Sequence, residues 1–346
     1  MVYEPIKVGE MPTLVNVAKR LDPDGSIADI AELLVQTNPI IQDIPMIEGN
    51  LPTGHRTTVR SDTPVPTWRR LNYGVRNTKS ATSQVDDTIG LLEDYAEVDK
   101  KLADLNGNSA EWRLSEDTPH VEGMSNEMAQ TIFYGDTSVN PDRFLGLAPR
   151  YDDMALAGKP LAVTPSAHLS NIINMDDSGS STDLTSLWLV SWGEQTVHGI
   201  YPKGSNGGLE QQDLGEVTLK DNTGGKFQGY RTHYAWNMGL CVRDWRYIVR
   251  VANIDLLKLD DADYQILLYK AMIKAKHAMP SATKGNKVFY CGAAVSAMLD
   301  FASVEKANAA LGLKEVFGEE VVTFRGVPIR QCDAILETEA RVPDAV

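Results

Sequence analysis

Six histidines (His55, His120, His168, His198, His233 and His277) and three cysteines (Cys241, Cys291 and Cys332) are the side chains best suited to hold a metal or attack a substrate. No two of them share the H-E-x-x-H or H-x-x-H spacing that puts paired imidazoles on one helix face, and there is no C-x-x-C pair. The reading is no metal centre and no disulfide framework, with the three thiols free and buried. Residues 222–226 read N-T-G-G-K. They lack the G-x-x-x-x-G-K-[ST] of a phosphate loop and lie between strand-like runs, so a β-turn is expected there. There is no G-x-S-x-G. The pairs Asp152-Asp153 and Asp176-Asp177 sit among small residues and read as solvated turn acids, and the stretch 176–179 is too short for a calcium loop. No catalytic residue and no cofactor is therefore expected. Two alternatives compete: a hydrolase built on Asp152/Asp153 or His198/His233, and a carbohydrate-binding β-rich module that stacks sugars on Trp188, Trp192 and Trp236.

The charge pattern carries more information. Between residues 55 and 79 stand Arg56, Arg60, Arg69, Arg70, Arg76 and Lys79 against Asp62 alone, in a chain whose formal net charge is -14. Between 86 and 104 the sign reverses, with Asp86, Asp87, Glu93, Asp94, Glu97, Asp99 and Asp104 against Lys100 and Lys101. Either the two faces compensate within one subunit, or the basic stretch of one copy meets the acidic stretch of the next. The second arrangement is heterologous, and heterologous contacts build rings and lattices rather than closed dimers. Candidate inter-subunit residues are Arg56, Arg60, Trp68, Arg69, Arg70 and Arg76 on the basic side and Asp94 and Glu97 on the acidic side.

These residues need elements to carry them. Residues 57–71 read as two β-type runs around the Pro64-Val65-Pro66 tip, a projecting hairpin, because proline is confined to edges and turns. Residues 86–105 show helical spacing through Ile89, Leu92, Tyr95, Ala96, Leu102 and Leu105. A second helix is expected from a Thr118 cap and Pro119 to Gly135, with Val121, Met124, Met128 and Ile132 on one face. An earlier helix is expected after a Ser26 cap. From Leu187 to Ile254 aromatic and β-branched runs alternate with Gly/Asn turns, the pattern of antiparallel sheet. A helix over 262–279 and a strand, helix, strand succession complete the chain.

Composition sets the outer bounds. A chain of 346 residues with 42% hydrophobic content builds one large domain or two ordinary ones. The N-terminal MVYEPIKVGE has neither a basic start nor an apolar signal core, no run is long enough for a membrane helix, and a cytosolic chain is expected. A pI near 4.9 argues against a sequence-specific nucleic-acid reader, so contact with DNA should be weak and non-specific.

The strings EGNLPTGHRTTVR, PTWRRLNYGV, AEVDKKLADLNGNSAEWRLSED, TIFYGD and FLGLAPRY strongly resemble the major capsid proteins of short-tailed, epsilon-type double-stranded-DNA bacteriophages. HGIYPKG, GYRTHYAWNMGL and FRGVPIRQCDAIL continue the resemblance, which covers most of the chain from about residue 12. It implies an α+β chain of the Hong Kong 97 capsid fold, with a permuted strand order as a variant. It further implies an N-terminal arm over 1–50, an extended E-loop over 51–84, a peripheral domain over 85–254 and an axial domain over 255–346. The peripheral domain would hold a spine helix at about 118–134 and a long β-hairpin at about 187–254. The implied role is self-assembly into pentamers and hexamers of an icosahedral head in the virion, formed in the bacterial host cytoplasm. Implied partners are the chain itself, portal and scaffold proteins, a cement or decoration protein and packaged double-stranded DNA, with no membrane. Some relatives of that kind join subunits by a lysine-asparagine isopeptide bond; here the tip over 61–66 has no lysine, and Lys79 lies toward the loop's base, so non-covalent closure is expected.

One prediction follows from the sequence alone. Met128→Asp places an unpaired charge on the apolar face of the spine helix. The expected outcome is loss of the soluble folded chain, read by circular dichroism and thermal melting; a variant that melts like the parent contradicts the assigned face.

Overall fold

In a computed structural model the described residues are 38–105, 109–152, 171–175, 181–220, 224–280, 284–304, 311–316 and 319–343. The expected helix after Ser26, the Asp176-Asp177 pair, His168 and residues 221–223 lie outside them. The chain divides into two compact units. The smaller contains residues 91–127 and 208–236, and the larger contains residues 36–90, 128–207 and 237–346.

In the larger unit, α1 (Ile40–Asp43), β1 (Met46–Glu48) and β2 (Gly54–Asp62) come first. β3 (Ala81–Asp99) follows and passes into the smaller unit. After β4 (Ile172–Asn174) come β5 (Leu184–Trp192), β6 (Val197–Tyr201), β7 (Leu209–Lys220), β8 (Lys226–Val242) and β9 (Ile248–Asp255). All nine residues of β5 are buried, which explains why LTSLWLVSW reads as a near-continuous apolar run: both faces of the strand are covered. It pairs antiparallel with β9 on one side and with β10 (Asn286–Cys291) on the other.

On one face, Leu187, Leu189, Val249, Val251 and Phe289 pack against Leu268, Met272 and Ala275 of α4 and against Val295 and Leu299 of α5. α4 (Ala262–Ala278) starts where the Asp261 carboxylate accepts from the Asp263 amide at 3.0 Å, and its sequence breaks at Pro280. α5 is Ala293–Val304. Beyond it β11 (Leu311–Val316), β12 (Glu319–Phe324) and β13 (Val327–Gln331) extend the sheet from β10. The β12–β13 turn uses Arg325 and Gly326, both at positive φ.

On the other face a buried cation organises the polar contacts. Arg250 on β9 donates to Glu339 at 2.7 Å, to Ser186 at 2.9 Å and to the Tyr151 carbonyl at 2.8 Å, and lies over the Trp188 ring. Both members of the Arg250–Glu339 pair are 4% exposed. Tyr134 and Ser186 also donate to Glu339, so each carboxylate oxygen has a donor. Asn253 and Val342 exchange two further hydrogen bonds, which tie the C-terminal segment to β9.

Two of the expected helices differ from the sequence reading. Residues 86–99 belong to strand β3, and only Lys100–Ala103 (α2) is helical. Spacings of four fit both periods, so Leu92 and Ala96 could not discriminate. Registered pairing of His55 through Thr58 with Asp87 through Gln84 decides for strand. The long helix α3 runs Ser109–Tyr134, so Pro119 stands inside it rather than at its start. The missing amide is tolerated because buried Trp112, packed with Val98 and Ala103, anchors the preceding turns. The Thr118 hydroxyl donates to the Leu114 carbonyl at 3.0 Å instead of capping.

The buried pair gives a quantitative expectation. Glu339→Ala strands a desolvated guanidinium and should cost about 3–5 kcal/mol in urea unfolding of the unassembled chain. Arg250→Met combined with Glu339→Leu should recover most of that loss; equal costs for the single and double variants would show that the pair itself is not what matters.

Candidate functional site

β2 and β3 form a hairpin, but only its first strand is where the residues suggested: the expected second run at 67–71 is not strand, and the chain returns as β3 from Ala81. The hairpin is paired from Gly54↔Thr88 to Asp62↔Ala81, with a register shift between Arg60 and Asp62. Alternation sorts its side chains. Thr57 and Asp87 turn inward and are buried, while Arg56 and Asp86 turn outward. Arg56 and Asp86 are cross-strand partners and make two hydrogen bonds of 2.6 Å. That bidentate contact lowers the Asp86 pKa and raises that of Arg56. One of the expected inter-subunit arginines is therefore engaged within its own hairpin.

Residues 63–80 carry the tip, which has no strand. A turn closed by the Tyr73 amide and the Arg70 carbonyl places Asn72 at φ 64, a left-handed position that asparagine tolerates well. Around it Val65, Trp68, Leu71, Tyr73 and Val75 are all exposed, Trp68 completely. Arg60, Arg69, Arg70 and Arg76 are exposed and make no ion pair among the described residues. An exposed apolar cluster rimmed by unpaired cations is the composition of a contact surface.

The expected acidic partners lie in the smaller unit. There β3 is followed by α2, and the β7–β8 hairpin pairs from Leu209↔Trp236 to Lys220↔Lys226. Asp94 is 2.6 Å from His120, Glu97 is paired with Arg231, and Glu93 is 3.3 Å from His233. His233 stacks on Tyr95, whose ring also lies under Arg231. Lys100–Glu216 and Arg113–Asp213 close further pairs at 2.6 Å. Asp94 and Glu97 thus have partners in their own unit, His120 and Arg231, and the acids stand on a strand rather than a helix.

The base of the hairpin is built differently. Asp87 is 3% exposed at its side chain and accepts from Arg150 at 2.8 Å. Thr57 lies 3.5 Å from the Cys241 sulfur. β6 pairs with β8 so that His198 faces Cys241, and β8 neighbours β3, while β1 pairs back onto β6. The strands therefore curl until His55 on β2 meets His198 on β6, with ring centroids 5.9 Å apart. Burial pushes the His198 pKa down to about 4 and the Cys241 thiol up to about 12, and lowers that of His55. No sequence spacing announced this group, because its members come from three separate strands.

The enzymatic and sugar-binding alternatives find no support in the geometry. Asp152 is exposed and Asp153 lies outside the described residues, while His198 and His233 belong to different units. Trp188 and Trp192 are buried at 0% and 2% and cannot stack on a sugar.

Comparison with known proteins identifies the chain. The family model described as Major capsid protein GP7 matches residues 22–343, and the chain belongs to that family of capsid-forming proteins. A chain of the near-atomic cryo-electron-microscopy structure of bacteriophage Epsilon15 is 34% identical, with 98% of this chain and 99% of that one covered and a TM-score of 0.73. The bacteriophage JBD30 capsid is similar at 10% identity over 88% of this chain and 93% of that chain, with a TM-score of 0.48. No curated protein matches the sequence. The fold is α+β, of the Hong Kong 97 type.

Asp86 and Asp87 offer a direct test of the alternation. Arg56→Ala removes an exposed pair and should leave the urea unfolding midpoint nearly unchanged. Arg150→Met leaves Asp87 buried and unpaired and should cost about 3–5 kcal/mol. Urea unfolding of both variants checks this, and similar losses would contradict the opposed faces.

Proposed function

We propose that this capsid protein assembles into pentamers and hexamers of an icosahedral head, and that the β2–β3 arm is the E-loop that joins neighbouring copies. The observation that carries this reading is the tip: Trp68, Leu71 and Tyr73 are exposed beside the exposed Arg69 and Arg70, uncovered by any of the described residues. Burying that apolar surface against a second copy supplies affinity, and the cations supply register and exclude wrong docking. Because Arg56, Asp94 and Glu97 are already paired internally, the tip arginines and Trp68 are the residues of the expected set best placed for contact.

In this reading the segment before residue 51 is the N-terminal arm. Residues 85–254 with α3 and the β7–β8 hairpin are the peripheral domain, and residues from 255 onward are the axial domain. The role is structural rather than enzymatic. Assembly takes place in the bacterial cytoplasm with portal and scaffold partners, a cement protein adds strength from outside, and the acidic chain lines packaged DNA without gripping it. Closure is non-covalent.

The test is Trp68→Ala with Arg69→Glu and Arg70→Glu. All three side chains are exposed, so the subunit should keep its unfolding free energy within about 0.5 kcal/mol. Electron microscopy and sedimentation should show capsomers or monomers in place of closed shells. Normal shells from this variant at both low and high salt would overturn the arm's role.

A further inference from the structure

At the base of the arm, His55 on β2, His198 on β6 and Cys241 on β8 each present one donor atom, and the three atoms lie within 4.8 Å of one another. Any point central to such a triangle is at most about 3 Å from each corner, against roughly 2.0–2.3 Å in a zinc site. Small rotations of two imidazoles and one thiol close that difference.

The surroundings are those of a built site. His198 is 1% exposed, and its Nδ1 is buried without a partner, as is Nδ1 of His55. Buried imidazole nitrogens are normally satisfied, so two orphans on the histidines of a group that also holds a thiol need a reason. The Thr57 hydroxyl lies 3.5 Å from the Cys241 sulfur, where it can donate to a thiolate. Asp87, the cross-strand partner of His55, keeps its Oδ2 buried and unpartnered while Arg150 holds the other oxygen. Asp87 stands outside the three-atom group, and its carboxylate, shared with Arg150, contributes a polar wall beside it.

We propose that His55, His198 and Cys241 form a binding site for a borderline-soft divalent cation of the zinc type, which clips the base of the arm to the sheet. Two imidazoles and a thiolate favour such a metal over magnesium or calcium, which take oxygen ligands. On binding, the Cys241 S–H bond breaks, the sulfur keeps the electron pair for the metal, and the proton goes to solvent; nothing is oxidised or reduced. The ion fastens β2 to β6 and β8 independently of β-sheet hydrogen bonds.

The experiment uses the untagged full chain, stripped with chelator and titrated with Co2+ and then Zn2+. The expected result is saturation at one ion per chain, a thiolate-to-cobalt charge-transfer band in the near ultraviolet that zinc abolishes, and a higher thermal midpoint with zinc than with chelator. Cys241→Ser should remove the band, and His55→Gln should weaken binding by at least about a hundredfold. Circular dichroism confirms that each variant is folded, and if Cys241→Ser is not, the half-buried His55→Gln carries the comparison. No saturable binding by the parent chain overturns the proposal. So does a band or stoichiometry that survives both substitutions, since the ion would then sit elsewhere.

Discussion

A two-stranded hairpin in water is marginally stable, so an arm can project only if its base is held by something larger. In this protein the holding is done where β2 and β3 join β8 and β6. There the inward row of the hairpin, His55, Thr57 and Asp87, leaves water and meets Arg150, Cys241 and His198. A carboxylate buried in that position is tolerable because Arg150 faces it. The arrangement explains why the arm can be polar and proline-broken at its tip, with no strand pairing over residues 63–80, and still be anchored.

Charge is used in three distinct ways along the same short stretch. Asp87 and Arg150 stabilise the buried base, where desolvation makes pairing obligatory. Arg56 and Asp86, one position along the same strands, stiffen the exposed stem, where pairing is worth little. The tip arginines have no ion-pair partner among the described residues, and in the proposed reading their value lies in what they meet on a neighbouring copy. The smaller unit follows the second pattern, with His120–Asp94, Arg231–Glu97 and Lys100–Glu216 crossing between its elements around two small apolar clusters. An acidic stretch that looked like a docking face is largely neutralised by its own neighbours, which shifts the weight of inter-subunit recognition onto the exposed aromatic and basic tip.

Turn chemistry and burial-driven patterns were readable from the residues. Pro64 and Pro66 marked a tip, Asp261 and Pro280 bounded α4, and the long aromatic stretch after residue 183 could only be sheet. Errors arose where two periods coincide or where packing overrode a local preference. Leu92 and Ala96 satisfy helix and strand alike, and pairing partners made the choice. Pro119 suggested a helix start, yet Trp112 buried seven residues earlier in the chain was worth more than one lost hydrogen bond.

What the sequence by itself determined is therefore the class of each surface and most element types, together with membership of a capsid family, because these depend on composition, short-range spacing and long matching strings. Tertiary structure alone decided which charges are already spent inside the subunit and which remain for a neighbour. It also brought His55, His198 and Cys241 together, since side chains far apart in the chain become neighbours only when strands pair in register and the sheet curls back on itself.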